Sequence, residues 1–136
     1  MIVIDLDTVM PGLMGHDFGD AIRFAANRVE EDCTDYDQAQ VNLDVFRAFA
    51  EGFLSMTAKT MTDTEVKTLA MSCFDLTAEL ATRFLADYLD GDLYFNIRRP
   101  DHNLVRARCQ IALAKDMLKN MDKMEAIVEQ CVRNSQ

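Results

Sequence analysis

The chain has little with which to bend itself: five glycines and two prolines are spread over 136 residues. Beside a hydrophobic share of 49%, that scarcity argues against a disordered tail and for a packed helical globule. Positive charge is short as well. Fourteen Lys and Arg stand against 23 Asp and Glu, a net charge of −9. Such a balance disfavours nucleic acid, whose phosphates select basic surfaces, and it suits no anionic membrane. No apolar run approaches the ~20 residues of a transmembrane helix. The N-terminal residues show neither the basic segment nor the small-residue cleavage site of a secretory signal. The four cysteines, Cys33, Cys73, Cys109 and Cys131, form no Cys-x-x-Cys pair. Cys73, Cys109 and Cys131 fall in apolar helical runs, so they read as reduced core thiols of a cytoplasmic protein and make a poor zinc site. No repeat of 20–50 residues occurs, and no Gly-rich phosphate loop.

What is present is mainly helix. At 15.4 kDa the chain is one domain or part of one, with enough length for a core. A first helix is expected over about 18–27, with Phe18, Ala21, Ile22 and Ala25 on one face, and a second over 42–56 with a stripe of Leu43, Phe46, Phe49, Ala50, Phe53 and Leu54. Arg47 and Glu51 are spaced to pair on its outside. Thr62 with Glu65 three later is a capping box that opens a third helix, and Gly91 stops it. That helix carries the longest apolar face, from Val66 to Leu89, and is expected to be the spine. From Asp101 a last helix repeats apolar residues at Leu104, Ala107, Ile111, Ala114, Leu118, Met121 and Val128, which suits docking on the third helix or a coiled-coil partner. It is expected to bend or fray near Asn120. The acidic stretch 28–41 shows no usable periodicity and reads as a solvated connector.

The chemistry-bearing stretch is at the front. Ile2-Val3-Ile4 leads into Asp5 and Asp7, then Pro11-Gly12. An apolar strand over 2–5 ending in Asp delivers a carboxylate to its own C-terminal edge. Two residues apart on an extended segment, the carboxylates stand roughly 6–7 Å apart on one side, placed to share a magnesium ion. As plain turn and cap residues they need no chemistry at all. The Asp-x-Asp-x-Thr pattern also looks like the nucleophile motif of haloacid dehalogenase phosphatases, with Asp5 attacking phosphate and Asp7 as general acid. That family needs a parallel sheet, for which the chain offers no further convincing strands.

Residues 4–12, with His16-Asp17-Phe18-Gly19-Asp20-Ala21-Ile22-Arg23, resemble the aminoglycoside phosphotransferase and choline kinase-like superfamily, with the closest likeness to the N-acetylhexosamine 1-kinases. The likeness continues through Arg83–Leu89, Gly91–Phe95 and His102-Asn103-Leu104. It implies a helical C-lobe fragment of a protein-kinase-like fold, mainly α with one short N-terminal strand. Asp5 would then hold magnesium against the nucleotide phosphates, with Asp7 beside it. Asp17 and Asp20 would be structural: the literal Asp17-Phe18-Gly19 spells the kinase metal motif by coincidence, and Asp17 as N-cap with Asp20 forms an acidic capping box.

The likeness also has a gap. The His/Asn-x-Asp-x-x-x-x-Asn catalytic loop, the phosphate-gripping Lys and the nucleotide-binding N-lobe are absent from these residues. The expectation is a C-terminal fragment of an ATP- and magnesium-dependent sugar kinase, inactive alone and binding no nucleotide tightly. Arg83, with Glu79 and Asp87 four residues to either side, is a surface ion-pair ladder or a guanidinium fork for sugar hydroxyls. The resemblance favours the fork; Tyr94, just past the turn, stacks on a sugar face or caps the core. His102 reads as a packing or capping residue. The alternative is a non-catalytic helical interaction module, self-associating as a homodimer through the N-terminal strand or the face left by the missing lobe.

Overall fold

The structure is a computed structural model that describes residues 9–135. Within them run five helices: α1 (Met14–Ala25), α2 (Leu43–Thr57), α3 (Asp63–Leu89), α4 (His102–Lys119) and α5 (Met121–Ser135). A 3-10 turn at Tyr36–Gln38 and an isolated antiparallel bridge between Asn27 and Val41 complete the regular structure; there is no strand among the described residues. The chain is therefore mainly α. The strand expected over 2–5 lies outside the described residues.

Helix α3 is the spine, and its ends are set locally. Thr62 Oγ1 accepts from Glu65 N at 3.3 Å while the Glu65 carboxylate accepts from Thr62 N at 2.8 Å, closing the capping box. At the other end Gly91 takes φ +92°, and the pair Gly91 N to Tyr88 O (3.3 Å) and Asp92 N to Asp87 O (2.7 Å) forms a Schellman stop. Between them lie 27 residues, about 40 Å of helix. Helices α1, α4 and α5 all pack against it, and α2 stacks on α5 and α1.

Helix α1 starts a turn earlier than the sequence spacing suggests. Its N-cap is Leu13, with no side-chain cap, so Asp17 does not cap the helix. It sits in the first turn, where negative charge is still favourable. The earlier start has a tertiary cause. Gly15 and Gly19, one turn apart, face Ser72 on α3: a Cβ on Gly19 would stand 2.5 Å from Ser72 O, and one on Gly15 3.0 Å from Ser72 Cβ. The two helices approach closely because these positions have no side chain. Asp20 bonds Arg23 at 2.9 Å. On the same helix Phe18, fully buried, meets the rings of Phe46, Phe49 and Phe53 at 5.8, 5.6 and 5.2 Å, so the α2 stripe is core. Arg47 turns from Glu51 to Gln130 of α5, donating at 2.8 Å.

The stretch 28–41 is no free connector. Arg28 N donates to Gln40 O and Asn42 N to Ala26 O, which closes it at its base. Ala39 and Val41 are buried, and Val41 N donates to Asp116 Oδ2 of α4 at 2.9 Å. Two of its acids are turned onto cations and a ring N–H, Glu31 onto Arg23 and Asp32 onto His102 and Arg99, while Glu30, Asp35 and Asp37 stay exposed as a solvated stretch would have them.

The long C-terminal pattern breaks at Asn120, as expected: Asn120 is the C-cap of α4, its side chain donating to Asp116 O at 3.0 Å, and α5 starts one residue later. Ala107, Ala114, Met121 and Val128 of the repeat read in sequence are buried, but the buried face of α4 is wider than that repeat and leaves two of its members out. Ile111 and Leu118 are exposed, while Val105, Cys109, Leu113 and Met117 are buried together with His102, Asn103 and Gln110. Two partners explain this, since α4 docks on α3 along one side and is covered along another by the 28–41 segment. Cys73, Cys109 and Cys131 are buried free thiols, and burial pushes the thiol of each above its ordinary pKa. No helix among the described residues is long and apolar enough to cross a membrane.

Candidate functional site

The polar groups of the fold gather where α3 ends and α4 begins. On the buried face of α3 the sequence Cys73, Thr77, Ala81, Phe84 is continued by Asp87, not by Tyr88 or Leu89. Three residues past Phe84, position 87 still faces inward. Asp87 Oδ1 accepts from Leu93 N (2.9 Å) and Tyr94 N (2.7 Å), and Oδ2 from Phe95 N (2.9 Å) and Asn103 Nδ2 (2.9 Å). Burial by itself would raise this carboxyl, but the three backbone N–H groups and the Asn103 amide outweigh it and hold Asp87 below the usual carboxylate value. Asp92, at φ +59°, shares the same amide through Oδ1 at 2.8 Å. The turn after α3 is thus tied down at three consecutive residues by a single side chain.

What this fastening holds in place is an aromatic and guanidinium patch. The Arg83 guanidinium lies 5.7 Å from the Tyr94 ring centre and 5.5 Å from that of Phe95, within cation–π range. Tyr94 and Phe95 meet edge to face at 4.8 Å, and Phe95 rests on buried Phe84 at 4.7 Å. Arg83, Ala86, Asp87, Asp90, Tyr94 and Phe95 line an open groove of about 310 Å3. Tyr94 is 74% exposed. Of the two ion pairs the spacing allows Arg83, only Glu79 is made, at 3.7 Å between half-exposed groups; Asp87 is committed to the turn. The geometry offers a planar donor fork beside a flat aromatic face, which is the chemistry for holding a hydroxylated ring.

A second polar group stands at the start of α4. His102 is buried, its Nδ1 accepting from Arg98 N at 3.1 Å, so Nε2 carries the proton toward Asp32 Oδ2 at 3.0 Å. Arg99 adds a 3.5 Å contact to the same carboxylate. For Asp32 burial again acts upward, and the His102 hydrogen bond followed by the Arg99 charge brings the net shift down. His102 is thus a fastener for the 28–41 segment, in line with its reading as a packing residue. Arg106 joins the two polar groups. Its Nη1 donates to Asn103 Oδ1 at 3.3 Å, its Nε faces Glu31 at 3.7 Å, and its guanidinium covers Phe84 at 5.3 Å.

The structure therefore brings Arg83 and Tyr94 together, while Asp17 and Asp20 stand exposed on α1 away from any ligand-holding cluster. Asp5 and Asp7 lie outside the described residues, and so does any test of how they would fit magnesium. No group of three or more His, Cys, Asp or Glu placed to hold a metal occurs among the described residues. Sequence reasoning missed Asp87, Phe95 and Asn103 as organisers of the groove. The available signal was an acid at the inward position of an apolar face, just before a glycine turn. No protein-family model matches this chain.

Proposed function

We propose that this chain carries the sugar-holding, C-terminal part of an ATP- and magnesium-dependent sugar kinase similar to the N-acetylhexosamine 1-kinases of the aminoglycoside phosphotransferase superfamily. The observation that carries the reading is the Arg83 guanidinium 5.7 Å over the ring of an exposed Tyr94, in a groove whose wall Asp87 fixes. Arg83 would donate its fork to sugar hydroxyls and Tyr94 would cover a ring face; Asp5, with Asp7, would hold magnesium in the complete enzyme. Phosphoryl transfer depends mostly on positioning and charge neutralisation. The catalytic loop and nucleotide lobe are not among these 136 residues, so the chain alone should be inactive.

The test is calorimetric titration of the chain with N-acetylglucosamine and, separately, with magnesium-ATP. Arg83→Ala and Tyr94→Ala should each weaken sugar binding about tenfold, the loss of one good contact of ~1.4 kcal/mol, with thermal stability unchanged. Unaltered sugar affinity in both variants, or submicromolar binding of magnesium-ATP to the chain, contradicts the reading.

A second reading draws on the same end of α3. Leu89, Leu93 and Tyr94 are 74%, 82% and 74% exposed, an apolar cluster suited to a protein partner or a second copy. Sedimentation at rising concentration separates the two, since a surface that self-associates through these residues gives a dimer that Leu93→Asp returns to monomer.

A further inference from the structure

Along the seam between α3 and α4 runs an apolar groove of about 250 Å3, with Phe74, Ala78, Ala81 and Leu85 from α3 and Ile111 and Ala114 from α4 among its walls. Met71 and Leu118 continue its two sides by helical spacing. Such a pattern suits packing against further helices, yet Met71, Leu85, Ile111 and Leu118 are 37–48% exposed. The two flanks of this face carry opposite charge. Asp75 and Glu79 stand exposed beside the groove on α3, Lys115 and Lys119 on α4. Asp75, Lys115 and Lys119 make no ion pair among the described residues, and Glu79 has only its 3.7 Å contact with Arg83. The acids and bases also match in height. Asp87 bonds Asn103, Arg106 covers Phe84 and Thr77 Oγ1 meets Met117 Sδ at 3.5 Å, so α3 and α4 run antiparallel. Two residues on from the Thr77–Met117 level, Asp75 is therefore level with Lys119; two residues the other way, Glu79 is level with Lys115. Each acid and its level base lie on opposite flanks of the groove.

We infer that this face is an interface between two copies of the chain, packed about a two-fold axis that runs along the helices. Such an axis sets α3 of each copy over α4 of the other and preserves height, because the rotation leaves positions along the axis unchanged. Asp75 of one copy then meets Lys119 of the other and Glu79 meets Lys115, while Met71, Leu85, Ile111 and Leu118 are withdrawn from water between them. An axis across the helices would instead set α3 on α3 and α4 on α4, acid against acid and base against base. A partner helix of uniform charge would be attracted by one flank and repelled by the other; a second copy satisfies both. The same packing accounts for Ile111 and Leu118, which repeat with buried residues of the C-terminal helices and yet face outward. The inference rests neither on the Arg83–Tyr94 groove nor on the sugar-kinase reading.

The experiment is sedimentation equilibrium of the chain over rising concentration, where a monomer–dimer equilibrium is expected. Leu118→Asp should weaken the dimer at least about tenfold, and Leu93→Asp, in the turn after α3, should leave it intact. The decisive arm is a charge exchange. Asp75→Lys with Glu79→Lys gives a chain with two basic flanks, and Lys115→Glu with Lys119→Glu gives one with two acidic flanks. Each should be monomeric alone, and an equal mixture of the two should restore a one-to-one dimer. If Leu118→Asp does not fold, the exchange variants, all at exposed positions, carry the test. The inference is overturned if the parent stays monomeric up to about 1 mM, if Leu93→Asp dissolves the dimer, if a folded Leu118→Asp dimerises like the parent, or if the mixed charge variants do not pair.

Discussion

Asp87 is an acid on a face whose other inward members are Leu69, Ala70, Cys73, Thr77, Ala81 and Phe84, and its cost there is offset by four hydrogen bonds. Asparagine at this position keeps the shape but replaces one acceptor oxygen with a donor aimed at backbone N–H groups. Asp87→Asn should therefore lower the melting temperature at neutral pH and loosen residues 93–95, seen as faster amide exchange there. The pH dependence has a definite sign. A folded-state pKa held below the ordinary 3.8 means the carboxylate's contribution is complete above that value and is lost as pH falls through the lower, folded one. The gap in melting temperature between parent and Asp87→Asn should be widest near pH 7 and close at pH values below the usual carboxylate range. A gap constant with pH would show that the charge is not what fastens the turn.

At the scale of elements, two helical glycines make opposite predictions. Gly19→Ala puts a Cβ 2.5 Å from the Ser72 carbonyl oxygen, a backbone atom that cannot swing aside, so α1 must lift from α3 at about 1–3 kcal/mol. Gly52 in α2 has nothing within 4 Å of an added Cβ, and Gly52→Ala should stabilise by ~0.5–1 kcal/mol through helix propensity. Urea melts of the two variants check both signs. The same contrast marks what could be read ahead of the structure. Helix ends written in a few adjacent residues, Thr62 with Glu65 and the turn at Gly91, were legible because their hydrogen bonds are local. The start of α1 was not, since it depends on Ser72, more than fifty residues away. Nor was the fate of the acids in 28–41: Asp32 finds its partner at His102, 70 positions on, and no periodicity within the stretch encodes that. The pairing of Arg83 with Tyr94 lay within reach of sequence because both flank one short turn. Asp87, which holds that turn, was read there as a surface ion-pair partner.

For the molecule as a whole, Phe18 is the point where three elements meet. Its ring contacts three phenylalanines of α2 from a helix that is itself pressed on α3. Phe18→Ala should cost about 3–5 kcal/mol, roughly a fifth or more of the stability of an ordinary domain. The chemical-unfolding midpoint should fall accordingly, with α1 and α2 lost in the same transition as α3. A separate early transition for α2 would mean that the aromatic cluster does not couple the layers. Charge adds little to this coherence. Most ion pairs are partly exposed, as Arg83–Glu79 and Arg133–Glu129 are, and pairs of that kind contribute only ~0–1 kcal/mol each. The turn after α3 differs in kind, being clamped from within before anything arrives. If a molecule binds beside Tyr94 as proposed, it meets a turn already fastened at residues 93–95, so its capture should be a one-step encounter, with on-rates set by diffusion and alignment and without a slow following phase.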